Sequence, residues 1–492
     1  MKHPLLYELN TRCWLRQLSD QRGAPVTLGN VPEEEFARWQ ELGFTHLWLM
    51  GVWSTGPRSR AVALQSPALR SVFDAVLPDW QDADVAGSPY AVAAYQVAPA
   101  LGGEAGLKRF RQQLKAHGLK LVLDFVPNHL GLDHPWVDEK PELFVQSPHP
   151  APGTFTQHTA AGVVELAHGK DPYFPAWTDT VQLDYRRPDT RRAMLGELRS
   201  VARRCDGVRC DMAMLLLNEV FARTWADFPG RIAPEIEFWA EAIQAIKARQ
   251  PSFLFLGEVY WDLETKLQSL GFDFTYDKRL YDFLVARQPA EVQRHLLDAP
   301  PRWVQAGAHF LENHDEPRIA GGLGLAEHRA AAWLILGLPG LRLLHEGQLT
   351  GATLRPPVQL ARRMREPANP EITRFYQEML GALSRSAVGA GEGILLRPRA
   401  AWAGNPTAQN LLLVQWQTRP PEFDLVVVNL APHRSQCYAP LNLDGLAQRN
   451  WSLRDLLGAE RYERFGNDLQ TQGLYLDVAP HAAQLFHFQP MA

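Results

Sequence analysis

The run GVRCDMAM, residues 207–214, is the part of the chain that decides both the fold and the site. A glycine, small or β-branched apolar residues and a basic–acidic pair are typical of a buried strand that ends by presenting charge. Successive side chains of a strand point to opposite faces, so Arg209 and Asp211 share one face. We expect the guanidinium to lower the pKa of the carboxyl and keep it ionised. The pair therefore indicates either an oriented nucleophile or an ion pair that only fixes the strand, and the rest of the chain decides between them.

Apolar runs of this kind recur along the chain and alternate with helical patterns. Near-continuous apolar runs are typical of parallel strands that are covered on both faces. Eight β/α units before residue 390 predict a closed parallel barrel rather than an open doubly wound sheet. A long irregular loop is expected between the second strand and residue 103. The eight predicted strands are residues 5–15, 44–50, 119–126, 207–214, 253–258, 272–275, 308–311 and 341–344.

Two stretches depart from this alternation. Residues 130–180 are rich in Pro, His, Gly and Thr and predict an insertion subdomain after the third strand. Beyond about residue 390, short runs without a long helix between them predict a separate antiparallel β domain. The predicted class is therefore α/β, with a (β/α)8 TIM barrel at residues 1–129 and 181–388, an insertion subdomain at 130–180 and a C-terminal antiparallel β-sandwich domain at 389–492.

The composition narrows the possible partners. The formal net charge is only −4 over 492 residues, which favours a neutral substrate and indicates neither nucleic acid nor a membrane as partner. The N-terminus has no apolar leader pattern, and no apolar run approaches the roughly 20 residues of a membrane span, so a cytoplasmic location is predicted. The four cysteines are expected to be reduced and mostly buried. No cofactor is expected, since the glycine-rich stretch at 321–324 lacks the strand–turn–helix context of a dinucleotide site.

Polar side chains follow four of the predicted strands, where catalytic residues of parallel barrels are found. The motifs are LDFVPNH at 123–129, GVRCDMAM, LGEVYW at 256–261 and FLENHDEPR at 310–318. Three carboxylates without a metal-binding motif suit glycoside hydrolysis, in which one carboxylate attacks and a protonated one donates. The residues expected to converge at one mouth are Asp211, Glu258 and Asp315, surrounded by His129, Arg209 and His314.

The surroundings of these residues favour separate roles. Glu258 is flanked by apolar residues, which would raise its pKa and keep it protonated, whereas Asp211 has an arginine nearby. A histidine at a strand end is more often structural, but the Asn-His pairs at 128–129 and 313–314 favour function. Asp124 and Glu312 are polar residues in apolar strands and are expected to form supporting hydrogen bonds.

These motifs, in this order, resemble the α-amylase family of glycoside hydrolases, whose members have a (β/α)8 barrel and act on α-glucosidic bonds. The resemblance extends over nearly the whole chain, because the family also has an insertion after the third strand and a β-sandwich after the barrel. It implies that Asp211 is the nucleophile, Glu258 the general acid/base and Asp315 the carboxylate that stabilises the transition state.

The resemblance also implies a set of substrate-binding residues. His129 and His314 would hydrogen-bond to hydroxyls of the sugar at the cleavage point, and Arg209 would hold Asp211. Within GSPYAVAAY, residues 87–95, Tyr90 occupies the position of the family's aromatic platform for that sugar.

Calcium is held by many members of the family between barrel and insertion, through an Asn that corresponds to Asn128 and an Asp from the end of the insertion. Here that end reads TVQLDYRRP, residues 180–188, which places Gln182 at the ligand Asp and Asp184 at a neighbouring Asn. Because a neutral amide attracts a hard dication less than a carboxylate does, we expect no metal at this site and a Gln182 that is hydrogen-bonded to backbone. The alternative is that Asp184 or a carbonyl replaces the lost ligand.

The predicted function is a retaining glycosidase that cleaves α-glucosidic bonds of an α-glucan or oligosaccharide, foremost α-1,4-linked gluco-oligosaccharides. A transglycosylase or an α-glucosidase with the same triad is the nearest alternative. Another alternative is a non-catalytic relative that binds glucans or a protein partner. Such relatives are expected to lose carboxylates of the catalytic triad, and here Asp211, Glu258 and Asp315 are all present. Where many α-amylases have Lys and His on the leaving-group side, this chain has Met214 and Leu215.

Overall fold

The fold is centred on a closed barrel of eight parallel strands, seen in a computed structural model that describes residues 3–160, 162–230 and 234–491. Neighbouring strands follow chain order, and the eighth strand pairs with the first. The predicted barrel is thereby confirmed. Its strands, labelled β1 to β8, are Leu5–Asn10, His46–Met50, Lys120–Phe125, Gly207–Cys210, Leu254–Gly257, Phe274–Tyr276, Gly307–His309 and Leu341–His345.

The first strand is shorter than the sequence predicted. We expected a strand over residues 5–15, but β1 ends at Asn10 and the helix Thr11–Arg22 begins directly after it. The Asn10 side chain accepts a hydrogen bond from the backbone N–H of Cys13, which is the usual role of an N-cap asparagine. The apolar residues of the helix continued the strand pattern and concealed this capping signal.

The loop expected before residue 103 was also predicted wrongly, since it contains regular elements. Helices span Pro57–Gln65 and Pro67–Val76, each with a proline in its first turn, where the missing N–H costs no hydrogen bond. Strands Trp53–Thr55 and Val92–Val97 pair antiparallel. Tyr90 lies just before the second of these strands, so this segment carries it to the mouth of the barrel.

Helices surround the barrel and cover its outer face with apolar side chains. In Gly103–Ala116, for example, Phe110 and Leu114 are fully buried one turn apart. The other helices of the barrel region are Glu33–Glu41, Trp136–Glu139, Pro188–Ala202, Asn218–Thr224, Phe238–Lys247, Glu264–Ser269, Lys278–Val285, Pro289–Asp298, Pro301–Gln305, Ile319–Gly322, Leu325–Gly337 and Pro370–Leu383.

The segment after β3 forms small antiparallel sheets. Strands Gln146–Ser147, Thr154–Thr159 and Gly162–Ala167 form one sheet. Strands His129–Gly131 and Thr180–Gln182 form another, in which Gln182 lies opposite His129. The segment therefore leaves the barrel and returns to it at the same place, and this ladder holds His129 at the barrel mouth.

The C-terminal region consists of two antiparallel sheets of six and three strands that share one apolar core, as the sequence predicted. A short helix, Gly466–Thr471, accompanies them. The proposed domain boundaries stay a prediction, and their ends at residues 1 and 492 lie outside the described residues. The strands are Glu392–Leu396, Arg399–Ala400, Leu411–Gln417, Phe423–Asn429, Ser435–Ala439, Asn450–Asp455, Arg461–Phe465, Leu474–Val478 and Ala483–Pro490.

Two further sequence predictions concern the environment of the chain. All four cysteines are buried and free, as expected for reduced thiols. Within the described ranges, no helix is both long enough and apolar enough to cross a membrane. The cytoplasmic location stays a prediction.

Candidate active site

The ends of β3, β4 and β5 place the first two carboxylates at the same edge of the barrel. The backbone N–H of Asp211 donates to the carbonyl of Phe125 at 2.9 Å, and that of Glu258 donates to the carbonyl of Cys210 at 3.1 Å. These bonds extend the parallel ladders by one residue beyond the strands. Asp211 and Glu258 therefore lie next to each other where the chain turns out of the barrel.

Arg209 connects the two carboxylates. Its fully buried guanidinium places Nη1 2.6 Å from Asp211 Oδ1 and Nη2 2.8 Å from Glu258 Oε2. Its Nε donates to the hydroxyl of Tyr276 at 3.3 Å, and its Cζ lies 5.3 Å from the centre of the Tyr90 ring. The predicted contact between Arg209 and Asp211 is confirmed. Arg209 also contacts Glu258, a carboxyl that has no basic residue near it in the sequence.

The surroundings of Glu258 determine where its proton resides. Oε2 accepts from the backbone N–H of Met212 at 2.6 Å and also faces Arg209, while Oε1 lies 2.8 Å from the hydroxyl of Tyr260. Burial raises the pKa of Glu258 to about 7, and neighbouring carboxylates add to this against the effect of Arg209. Because Oε2 accepts from a backbone N–H, whereas Oε1 faces a hydroxyl that can also accept, we assign the proton of the neutral acid to Oε1.

The two carboxylate oxygens of Asp211 differ in their hydrogen bonding. Oδ1 contacts Arg209, whereas Oδ2 has no hydrogen-bond partner among the residues that the structure describes. Arg209 acts to lower the pKa of Asp211, as expected, but the net shift is upward. Burial outweighs the guanidinium and raises that pKa, since taking a carboxylate out of water disfavours its charged form.

Asp315 lies on the loop after β7 and is the most open of the three carboxylates, with 46% of its side chain exposed. Its backbone N–H donates to Asn313 Oδ1 at 2.9 Å, and Arg355 donates to its carbonyl oxygen. Its Oδ2 lies 3.1 Å from His314 Nε2. The part of Asp315 that is covered at the barrel mouth acts to raise its pKa, but His314 outweighs this effect and holds that pKa below its usual range.

Tyr90 joins the two histidines of the site. Its hydroxyl lies 2.7 Å from His314 Nε2, and the two rings stack with centroids 5.5 Å apart. Burial lowers the pKa of His129 to about 4 against the opposing effects of Asp179 and the backbone of Tyr90, so its imidazole is neutral near pH 7. The structure thus brings together all seven residues that the sequence assigned to the site.

Two supporting carboxylates have the role that the sequence predicted. Asp124 accepts hydrogen bonds from Trp48 Nε1 at 3.0 Å and from the backbone N–H of Gly51 at 2.7 Å. Glu312 accepts from Arg318 Nη1 at 2.7 Å. Neither contacts a residue of the triad directly, so both stabilise the strand ends.

Sequence reasoning missed three residues that contact the site. Glu8 of β1 contacts His314, Tyr260 contacts Glu258, and Tyr276 of β6 contacts Arg209. The sequence did contain a signal for Glu8, because a carboxyl group inside the apolar strand LLYELN needs a hydrogen-bonding or charged partner. Tyr260 lies two residues after Glu258, within the motif LGEVYW.

The calcium ligands of the family do not fit this chain. Gln182 donates through Nε2 to the carbonyls of Asn128 at 2.8 Å and Leu183 at 3.1 Å, which confirms the predicted backbone bonding. Asp184 is occupied by Arg186, with distances of 2.8 and 3.1 Å. Across residues 3–160, 162–230 and 234–491, no group of three or more His, Cys, Asp or Glu side chains could hold a metal ion.

Comparison with known proteins identifies the family. The model of the alpha-amylase catalytic domain matches residues 37–381. This chain belongs to the alpha-amylase family. Alpha-amylase MalA of Haloarcula japonica is 28% identical over 264 residues, which cover 52% of this chain and 35% of that protein. Alpha-amylase 3 of Dictyoglomus thermophilum is 22% identical, with 52% of each chain covered. The chain thus spans about half or less of these curated relatives.

Solved structures of the same family share the whole fold. The maltogenic alpha-amylase AmyB of Thermotoga neapolitana superposes with a TM-score of 0.68 over 99% of both chains, at 18% sequence identity. At this level of identity the likeness supports the architecture of barrel and C-terminal sheets alone.

Proposed function

We propose that this chain is a retaining glycosidase that cleaves α-glucosidic bonds, foremost the α-1,4 bonds of gluco-oligosaccharides. The observation that carries the proposal is the pair of carboxyls on one guanidinium, Asp211 on Nη1 and Glu258 on Nη2 of Arg209. Retaining enzymes hold their two carboxyls about 5–5.5 Å apart, whereas inverting enzymes keep a wider gap for water. Contact with one guanidinium favours the shorter separation.

The first step uses the two carboxyls in different ionisation states. Glu258 gives its proton from Oε1 to the glycosidic oxygen, which leaves with the bonding electrons. Asp211 attacks the anomeric carbon through Oδ2, the oxygen without a hydrogen bond to a described residue. A covalent glycosyl ester of Asp211 forms, while Arg209 keeps its hold on Oδ1.

The second step reverses the roles. After the first step Glu258 has lost its proton, and the resulting carboxylate lies beside Arg209, which stabilises its charge. Glu258 then takes a proton from an entering water, and the water oxygen attacks the anomeric carbon as the bond to Asp211 breaks. Two inversions at one carbon give net retention.

The remaining residues hold the sugar between these groups. Asp315 stabilises the positive charge that develops on the ring in the transition state, since its lowered pKa keeps it ionised. Tyr90 offers its ring face to the sugar, and His129 and His314 hydrogen-bond to its hydroxyls. Met214 and Leu215 are apolar, so neither can hydrogen-bond to the leaving group as a Lys or His could.

A product profile tests the proposal. Maltoheptaose, isomaltose, sucrose and trehalose are offered separately, and products are followed by chromatography, with Asp211→Asn as control. Maltoheptaose is expected to be cut most efficiently into shorter oligosaccharides. Proton NMR of the earliest product is expected to show the α-anomer. The β-anomer appearing first would exclude retention, and products longer than the substrate would indicate transglycosylation instead.

A further inference from the structure

Glu8 is a buried acid of the barrel interior that the proposed mechanism does not use. It lies near the end of β1 with no exposed surface, and its Oε1 is 2.5 Å from His314 Nδ1. Its Oε2 has no hydrogen-bond partner in the described part of the chain. Placing a carboxylate in such a site is costly unless a nearby positive charge compensates it. His314 is the group in contact that can carry this charge.

The other nitrogen of the same ring faces the cleft. His314 Nε2 lies 3.1 Å from Asp315 Oδ2 and 2.7 Å from the hydroxyl of Tyr90. A neutral imidazole has a single N–H and can donate to one side only, whereas an imidazolium donates from both nitrogens. Two carboxylates, Glu8 and Asp315, on opposite nitrogens of one ring therefore require the imidazolium.

The surrounding charges support the same state. Burial acts to lower the pKa of His314, but Asp315 and Glu8 outweigh it and raise that pKa to about 10. The ring also packs edge-on against Trp48, with centroids 5.5 Å apart. The titratable groups that act on His314 from the packed elements are Glu8, Tyr90, Asp124, Asp315 and His345.

We propose that Glu8 is a positioning residue that keeps His314 doubly protonated, so that His314 presents an Nε2–H and a positive charge to the cleft beside Asp315. The inference rests on the proposed function, because Asp315 matters only if it stabilises a transition state. Without the Glu8 charge, only Asp315 opposes burial, so His314 gives up its second proton at a lower pH than in the wild type. If the remaining proton stays on Nδ1, the cleft side presents a bare nitrogen lone pair to Asp315.

Nitrogen-15 NMR of histidine-labelled protein tests the protonation state without reference to activity. The His314 signals are assigned by their loss in His314→Gln. In the wild type they are expected to report an imidazolium up to at least about pH 8, and in Glu8→Gln to titrate at a clearly lower pH, since Asp315 alone then opposes the effect of burial. A wild-type His314 that titrates near the ordinary value of about 6.5 would overturn the proposal, even if Glu8→Gln did not fold.

Kinetics then test whether the charge matters for the reaction. On a maltooligosaccharide, Glu8→Gln is expected to lower kcat by about 10–10²-fold above neutral pH, with little change in KM and recovery toward acidic pH, where His314 regains its second proton. In the His314→Gln background the same change is expected to cause no further loss. A loss that is independent of pH, or additive to that of His314→Gln, would exclude the positioning role.

The chain offers a matched control far from the cleft. In the C-terminal sheets, Asp424 Oδ1 lies 2.6 Å from His487 Nδ1, so Asp424→Asn removes the same kind of charge from the same kind of pair. It is expected to leave kcat and its pH profile unchanged. If the wild type cleaves no α-glucoside at all, the proposed function fails, while the NMR titration still decides whether Glu8 controls His314.

Discussion

Arg209 Nη2 lies 2.8 Å from Glu258 Oε2, while Nη1 of the same guanidinium lies 2.6 Å from Asp211 Oδ1. The arginine therefore cannot separate the roles of the two carboxyls, because it stabilises the charged form of both. Burial and mutual repulsion raise the pKa of Glu258 to about 7 in spite of it. Burial raises the pKa of Asp211 as well, and Glu258 is the carboxyl whose pKa reaches about 7.

The pH dependence of kcat/KM is expected to be bell-shaped. Glu258 must be protonated to act as acid, so activity falls as pH rises through about 7. Asp211 must be ionised to attack, and its pKa is raised, so activity falls on the acid side above the range usual for an aspartate. Initial rates on a maltooligosaccharide from about pH 4 to 9 would measure both limbs. A rate that stays constant up to pH 9 would contradict the acid role.

Substitution of the proposed acid is expected to depend on the leaving group. Glu258→Gln should lower turnover of oligosaccharides by about 10²–10⁴-fold, the range for lost general-acid catalysis. Fluoride leaves without needing a proton, so the same variant should form its intermediate from α-glucosyl fluoride almost normally. Steady-state rates and fluoride release measure the two effects.

Asp211→Asn is the matched control for this comparison. An amide cannot form the glycosyl ester, so this variant should be inactive on both substrates. Equal defects of Glu258→Gln on the oligosaccharide and on the fluoride would remove Glu258 from the acid role.

The sequence predicted the barrel and the seven site residues because both leave local signals. Buried parallel strands are near-continuous apolar runs, and the site residues other than Arg209 and Tyr90 follow such a run. Arg209 lies within its strand, and Tyr90 was assigned through the family resemblance alone. The first strand was predicted too long for a local reason as well, since the helix after Asn10 contains the apolar residues Cys13, Trp14 and Leu15, which extend the strand pattern.

Contacts between distant parts of the chain were not predictable in the same way. Glu8 and His314 are 306 residues apart, and no pattern in either segment identifies the other as its partner. The net upward shift of the Asp211 pKa was not predictable from the sequence for a related reason. It depends on how completely the barrel mouth excludes water, which is a property of the assembled fold and not of the residues next to Asp211.

Asp124 is expected to be important for stability. Asp124→Ala would leave two buried donors, Trp48 Nε1 and the N–H of Gly51, without their acceptor, at a cost of about 2–4 kcal/mol. Urea unfolding followed by tryptophan fluorescence measures this change. Asp298→Ala is the control, because the ion pair of Asp298 with Arg397 is more than half exposed and such pairs contribute about 1 kcal/mol or less. Equal effects of the two substitutions would contradict the buried role of Asp124.

Removal of calcium is expected to have no effect at the junction of barrel and insertion. The Gln182 side chain donates to the carbonyls of Asn128 and Leu183, and the Asp184 carboxylate forms an ion pair with Arg186. A dication would therefore find no unpaired carboxylate at this site. Tm and activity should therefore be the same after dialysis against EDTA and after calcium is added back. Asp184→Asn should lower Tm by the same amount in both conditions, since it loses only the ion pair with Arg186. A fall of several degrees in EDTA that calcium alone restores, and that disappears in Asp184→Asn, would show that Asp184 replaces the missing ligand.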